Sequence, residues 1–351
     1  MFFRNAVMFR FPTSLRPAFD NIEELLEESA LKPVGAMEMA TSGFVPPMGK
    51  ASSALHVRQG DVLWLSLATE SRILPPAVIA EVLQARIEEI EEQEGVTVGG
   101  RRRKQLKDDV TIELMARAFT KTSRTSVLID LENGLAVVDT SSRKVAEEVI
   151  SEIRRCMGSF PALPLNAESA PAPILSQLLT GQGIPEGFEL GEEAELKEGD
   201  GGIIKVSRQE LACEEVLRHL ESGKQVTRLH LISAERASFV IGEDLVIRKL
   251  KLLDGALDAL DGERESLAAE LDARLALFIG EFRAIAKTVF ELFSVTSPDI
   301  GADEEGEGRR EALSTLRQGL RSGTISIEVT GATPPARSDR RGASKPAAPP
   351  G

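Results

Sequence analysis

The stretch from Val127 to Asp139 constrains the fold most tightly. Two apolar runs, Val127-Leu128-Ile129-Asp130 and Leu135-Ala136-Val137-Val138-Asp139, flank Asn133-Gly134. Asn-Gly supplies the positive-φ turn that joins antiparallel strands, so the segment reads as a β-hairpin. Strands are also expected at residues 3–11 and from Asp61 to Ala68, and Gly43-Phe44-Val45-Pro46-Pro47-Met48-Gly49 is excluded from any helix by its prolines. Helices are expected where apolar residues recur at helical spacing: Phe19 to Ala30, then Ile79, Leu83, Ile87 and Ile90 behind Pro75-Pro76, and Val145 to Ile153 closed by Gly158. Leu106, Val110, Leu114 and Ala118 continue such a stripe after Gly95, Gly99 and Gly100, which predicts a helical hairpin.

Phe160 to Pro173, rich in Pro and Ala, reads as a linker or domain boundary. Beyond it the pattern predicts a short helix near Ile174–Leu179, strands near 188–196 and 202–206, a helix over 208–220, and strands near 225–232, 237–241 and 245–252. Leu267, Leu271, Leu275, Phe278, Phe282, Ile285, Val289 and Leu292 then mark one long helix with a narrow apolar seam, expected to pack into a core. Strands and helices mix without regular βαβ alternation, so the class is α+β with mixed antiparallel sheets and helices. The expected division is an N-terminal α+β region at 1–165 with a helical-hairpin excursion at 77–119, a C-terminal α+β region at 166–295, and a largely disordered tail at 296–351, with one short helix from Arg310 to Leu320.

Charge narrows the function. The chain carries 55 Asp and Glu against 42 Lys and Arg. Yet eight basic residues fall between Gly99 and Arg124, beginning with Arg101, Arg102, Arg103 and Lys104, against three acids, Asp108, Asp109 and Glu113. A basic island on an acidic chain points to a polyanion; a solvated helix face is the plainer alternative. Ser207-Arg208-Gln209-Glu210 fits a capping box, which would put Arg208 and Gln209 in a first helical turn, where an anion is favoured. Arg248, Lys249 and Lys251 add a basic strand, for which an exposed edge is the alternative reading. No tyrosine and one tryptophan occur, so the expected reading of nucleic acid is through its backbone and not by base stacking.

Enzyme readings find little support. His56, His219 and His230 lack zinc spacing, and no GxSxG elbow is present. Gly181 to Gly187 and Ser222-Gly223-Lys224 both miss the phosphate-loop pattern. Asp108, Asp109, Glu113, Asp130 and Asp139 offer ligands for the Mg²⁺ of a nuclease, though their spacing does not demand it. No cofactor, metal or catalytic residue is predicted. The two cysteines, Cys156 and Cys213, suggest a reduced, cytoplasmic setting, and no apolar run is long enough for a membrane span.

The motifs resemble the bacterial recombination-associated protein RdgC family. They are Met39-Ala40 with Gly43 to Gly49, Ile73-Leu74-Pro75, Leu106 to Val110, Arg117-Ala118-Phe119, Asn133-Gly134-Leu135 and Gly158 to Pro161 with Pro164-Leu165. Further along come Glu193 to Lys197, Gly201-Gly202, Gln209, Gly223-Lys224 with Val226-Thr227, and Arg248 to Lys251. The order holds from Met1 to about Phe293. The resemblance implies a ring-forming homodimer with a positively charged hole. It implies binding of double-stranded DNA with little sequence preference, binding of single-stranded DNA, functional antagonism of the recombinase RecA, and a nucleoid-associated location. By position, Arg117 and Phe119 match family residues implicated in DNA binding or ring integrity; Arg208 matches a family lysine and Gln209 a family glutamine of similar role. The glycine-interrupted island around Arg101 departs from the lysine-rich helix of relatives, and the tail from Ser294 has no counterpart. A protein-interaction adaptor acting through the long C-terminal helix or the tail is the competing expectation.

Overall fold

The molecule is described by a computed structural model at residues 3–199, 201–260 and 266–296. In chain order the first half holds β1 (Val7–Arg10), α1 (Ile22–Glu28), β2 (Ala40–Phe44), β3 (His56–Gln59), β4 (Val62–Arg72), α2 (Pro76–Glu94), α3 (Gly100–Arg117), β5 (Thr120–Asp130), β6 (Leu135–Val138), α4 (Arg143–Met157) and β7 (Leu163–Pro164). The second half holds α5 (Pro171–Leu179), β8 (Phe188–Lys197), β9 (Ile203–Ser207), α6 (Glu214–Glu221), β10 (Gln225–Ser233), β11 (Ala237–Gly242), β12 (Ile247–Leu252), α7 (Asp254–Leu257) and α8 (Leu267–Leu292). The class is α+β, as the sequence predicts. The helix expected from Arg310 to Leu320 and the disordered tail lie outside the described residues.

Two antiparallel sheets organise these elements. The first runs β2-β4-β5-β6-β1-β7 with β3 on β4, and the second runs β12-β11-β10-β8-β9. β4 is buried on both faces because alternate side chains feed two cores. Leu63, Leu65 and Leu67 pack with Val127, Ile129 and Val138 beneath the apolar stripe of α4, Ala146, Val149, Ile150 and Ile153. Val62 and Trp64 face the other way, into a core shared with Phe278, Phe282, Ile285 and Val289 of α8 and with the inner face of the second sheet. The long helix is thus a core element from Leu275 onward, while Leu267 is exposed.

The Asn133-Gly134 hairpin forms as predicted, with Asp130 opposite Leu135. Gly134 has φ +57°, and a Cβ there would sit 2.3 Å from the Phe11 carbonyl oxygen. In the Gly43–Gly49 stretch, Gly43 presses on the Leu31 backbone, where a Cβ would lie 2.4 Å away.

Three expectations change. Phe160 to Leu165 is built into the first sheet: Phe160 is fully buried against Phe11 and Phe19, and Leu163-Pro164 pairs with β1. The helix expected from Arg208 begins instead at Glu214, with Cys213 as its N-cap residue. Ser207 is still in β9, opposite Glu193, so ladder pairing overrides the local capping signal, and Arg208 turns the chain with φ +59°. The helix-dipole argument for Arg208 and Gln209 therefore falls. Finally, β12 is no bare edge: Ala6 bridges Ile247 through bonds of 2.8 and 3.0 Å, and Leu250 donates to the Arg4 carbonyl.

Candidate nucleic-acid interface

The helical hairpin α2–α3 is an insertion between β4 and β5, which are neighbours in the first sheet. Its buried residues, Leu83 and Ile87 on one helix and Val110 and Met115 on the other, belong to neither of the two main cores. Ion pairs staple it. Arg86 meets Glu113 at 3.1 Å, and Arg102 grips both oxygens of Glu94, the Nη2–Oε1 contact being 2.6 Å. That hydrogen bond, with the attraction of the charges, holds the Glu94 carboxyl below its usual pKa and raises that of Arg102.

Arg101, Arg102 and Arg103 lie within a helix. They form the first turn of α3, and the turn itself spans residues 95–99. Arg101, Arg103 and Lys104 are exposed, and among the described residues no ion pair engages them.

At the base of the hairpin, Arg72 donates to three carbonyls, Met115 at 2.7 Å, Glu38 at 3.1 Å and Gly35 at 3.1 Å. Ile73 N–H bonds the Phe119 carbonyl at 2.8 Å. Arg117, the last residue of α3, is exposed. Phe119 is 85% exposed, and Met37, Met39 and Ile73 are exposed at the same end of the sheet. Phe119 is the one exposed aromatic among the described residues.

The second sheet supplies a different surface. Its outer face carries a groove of about 430 Å³ lined by Lys205, Arg208, Arg228, Arg248 and Lys249 together with Glu193 and Glu195. β9 and the turn after it, β10 and β12 deliver the cations, so residues more than forty apart in sequence meet there. Arg208 has φ +59° and Lys249 φ +53°, conformations that L-residues take at a cost of about 1–2 kcal/mol. Lys249 sits where the β11–β12 register slips between Ser238 and Val240. Arg248 is 16% exposed in its side chain and bonds both oxygens of Asp244, at 2.9 and 2.5 Å.

Of the predicted residues, the groove joins Arg208, Arg248 and Lys249. Gln209 and Lys251 are exposed but do not line it, and the hairpin residues Arg101 to Lys104, Arg117 and Phe119 stand apart from it. Lys205 and Arg228 were missed, although Lys205 stands outward between Ile204 and Val206, and Arg228 stands outward between buried Thr227 and Leu229. His230 lies on the same face; its Nδ1 accepts from the Glu192 N–H at 3.0 Å, and burial pushes its pKa below the usual histidine value.

Three of the candidate metal carboxylates, Glu113, Asp130 and Asp139, are engaged otherwise. Asp130 is held by Arg283 through bonds of 2.7 and 2.8 Å, and Asp139 accepts the N–H groups of Arg4 and Asn5. Among the described residues no three His, Cys, Asp or Glu side chains gather as a metal site. No helix among them is long and apolar enough to cross a membrane.

The fold defines an α+β protein of two antiparallel sheets with an inserted helical hairpin and a cationic groove. The chain belongs to the RdgC family, whose model, described as "Putative exonuclease, RdgC", matches residues 1–296. The recombination-associated protein RdgC of Xanthomonas campestris pv. campestris (strain B100) is 52% identical over 289 residues, 81% of this chain and 95% of that protein. Its namesake from Stenotrophomonas maltophilia (strain R551-3) is 48% identical over 303 residues, 85% of this chain and all of that protein. That from Xylella fastidiosa (strain M23) is 50% identical over 289 residues, 81% of this chain and 95% of that protein.

Proposed function

We propose that this protein binds DNA without sequence specificity, as a homodimer that encircles or coats the duplex, and thereby limits RecA-dependent recombination without enzymatic chemistry of its own. The observation that carries the reading is the groove on the second sheet. On a chain of net charge −13 it gathers four Lys and Arg side chains from three strands and a fifth, Arg208, from the turn after β9. Cations spread over a sheet face suit a chain of phosphates, whose charge is read without regard to base identity. Backbone strain at Arg208 and Lys249 supports a functional use of that face. The acidic remainder of the surface repels polyanions and confines contact to the basic places.

The homodimer is supported by the apolar side chains at the hairpin base. Phe119, Met37, Met39 and Ile73 together make an exposed patch of a kind that marks interaction surfaces. A second copy is the occupant assigned to it here. The adaptor reading loses the body of α8, whose seam from Leu275 to Val289 is spent in the core.

The test is charge reversal in the groove. Lys205→Glu with Arg208→Glu is expected to weaken binding to unrelated duplexes equally and to relieve inhibition of RecA-driven strand exchange. Affinity unchanged by the double reversal removes the groove from the account.

A further inference from the structure

We infer that Glu193 and Glu195 are internal competitors of DNA phosphate, placed in the groove to hold its affinity down so that bound DNA can be released. The inference rests on the DNA-binding reading above and concerns residues that the reading does not need. Glu195 Oε2 lies 3.4 Å from Lys205 Nζ and 3.4 Å from Arg228 Nη1. One carboxylate oxygen is thus shared by cations of the two neighbouring strands, β9 and β10, as a phosphate oxygen bridging them would be. The Glu195 side chain is 17% exposed, and Thr227 Oγ1 reaches its Oε1 at 3.5 Å, so the carboxylate is held from the side away from the two cations. Glu193 pairs with Lys249. β8 and β12 are separated in the sheet by β10 and β11, so this second pair reaches across the groove and not along a strand.

Of the five groove cations, Lys205, Arg228 and Lys249 are therefore matched to these two carboxylates, and Arg248 is matched to Asp244. Arg208 is the exception: among the described residues no ion pair engages it. A phosphodiester entering the groove takes over cations that already have partners, and each glutamate left behind repels it. Gln in place of Glu keeps shape and hydrogen-bonding capacity while removing that repulsion.

The experiment compares the full chain with Glu193→Gln/Glu195→Gln and with Glu23→Gln/Glu24→Gln, which makes the same change in net charge on the exposed face of α1. Binding to one fluorescent duplex is measured over a salt series, with a thermal melt confirming that each variant is folded. The groove pair is expected to tighten binding about fivefold to tenfold at low salt and to steepen the log–log salt slope by about one to two. It is also expected to slow dissociation, while the α1 pair behaves as wild type. A groove variant that binds as wild type or more weakly, or an α1 variant that gains as much, overturns the inference. Wild-type binding without salt dependence would instead sink the DNA-binding reading itself.

Discussion

Arg283 of α8 donates two hydrogen bonds, of 2.7 and 2.8 Å, to the buried carboxylate of Asp130 at the end of β5. Asp130 also accepts from the backbone of Glu132 and Asn133, so one acid closes the β5–β6 loop and anchors the long helix. The hydrogen bonds that Arg283 donates to Asp130 raise its pKa against the opposing effect of burial. Asp130→Ala removes these bonds but leaves Arg283, 35% exposed, its 3.0 Å contact with Glu132, so the loss should sit below the value for a wholly buried pair, at roughly 2–3 kcal/mol. Urea unfolding of the variant measures it; a loss below about 0.5 kcal/mol would show the pair to be no more than a surface contact.

At Arg208 and Lys249 stability and binding are expected to separate. Glycine accepts their positive φ without the Cβ clash but loses more chain entropy on folding. Arg208→Gly and Lys249→Gly should each stay within about 1 kcal/mol of wild-type stability, while DNA affinity falls several-fold. Destabilisation well beyond that range in the melt would contradict the strain argument.

Asp244 gives the pH dependence. Burial raises its pKa, but the hydrogen bond and charge of Arg248, the Val246 N–H and the charge of Arg143 outweigh it, and the net shift is downward from 3.8. A carboxyl whose folded pKa is depressed contributes stability that is fully present above its unfolded pKa and is lost as pH falls through the folded one. Asp244→Asn should therefore be less stable than wild type at neutral pH and should show a shallower acid limb below about pH 4 in denaturation curves. Parallel acid limbs in the two proteins would rule this contribution out.

Phe119→Ser tests the proposed self-association. With 85% of the residue exposed, folding stability should hold within about 0.5 kcal/mol. Sedimentation velocity should nevertheless show a weaker dimer. A variant that dimerises as wild type would place the contact elsewhere.

Local signals were legible wherever local chemistry decided the outcome. Asn133-Gly134 marked its hairpin, Pro75-Pro76 the start of α2, and Gly158, in the left-handed conformation, the end of α4. The alternation Val62/Trp64 against Leu63/Leu65 is hidden in one continuous apolar run, so the two-core placement of β4 needed the packing to reveal it. Ser207-Arg208-Gln209-Glu210 misled because pairing with β8 outweighs a cap that forms without tertiary support. Phe160 misled because Pro161 and Pro164, which follow it, disguise a residue that completes an aromatic cluster. The contiguous arginines of α3 were visible as a group. Lys205 and Arg228 are single residues in separate strands, and only sheet order makes them neighbours of Arg208 and Lys249.

The most direct test of the central claim is the equilibrium binding of the wild-type chain to two unrelated duplexes of equal length across a salt series. If the groove reads phosphates, both duplexes bind alike at every salt concentration. A footprint of six to ten phosphates then costs roughly 10³–10⁵ in affinity between 50 and 200 mM salt. Affinity that barely changes with salt, or that differs about a hundredfold between the two sequences, would contradict it.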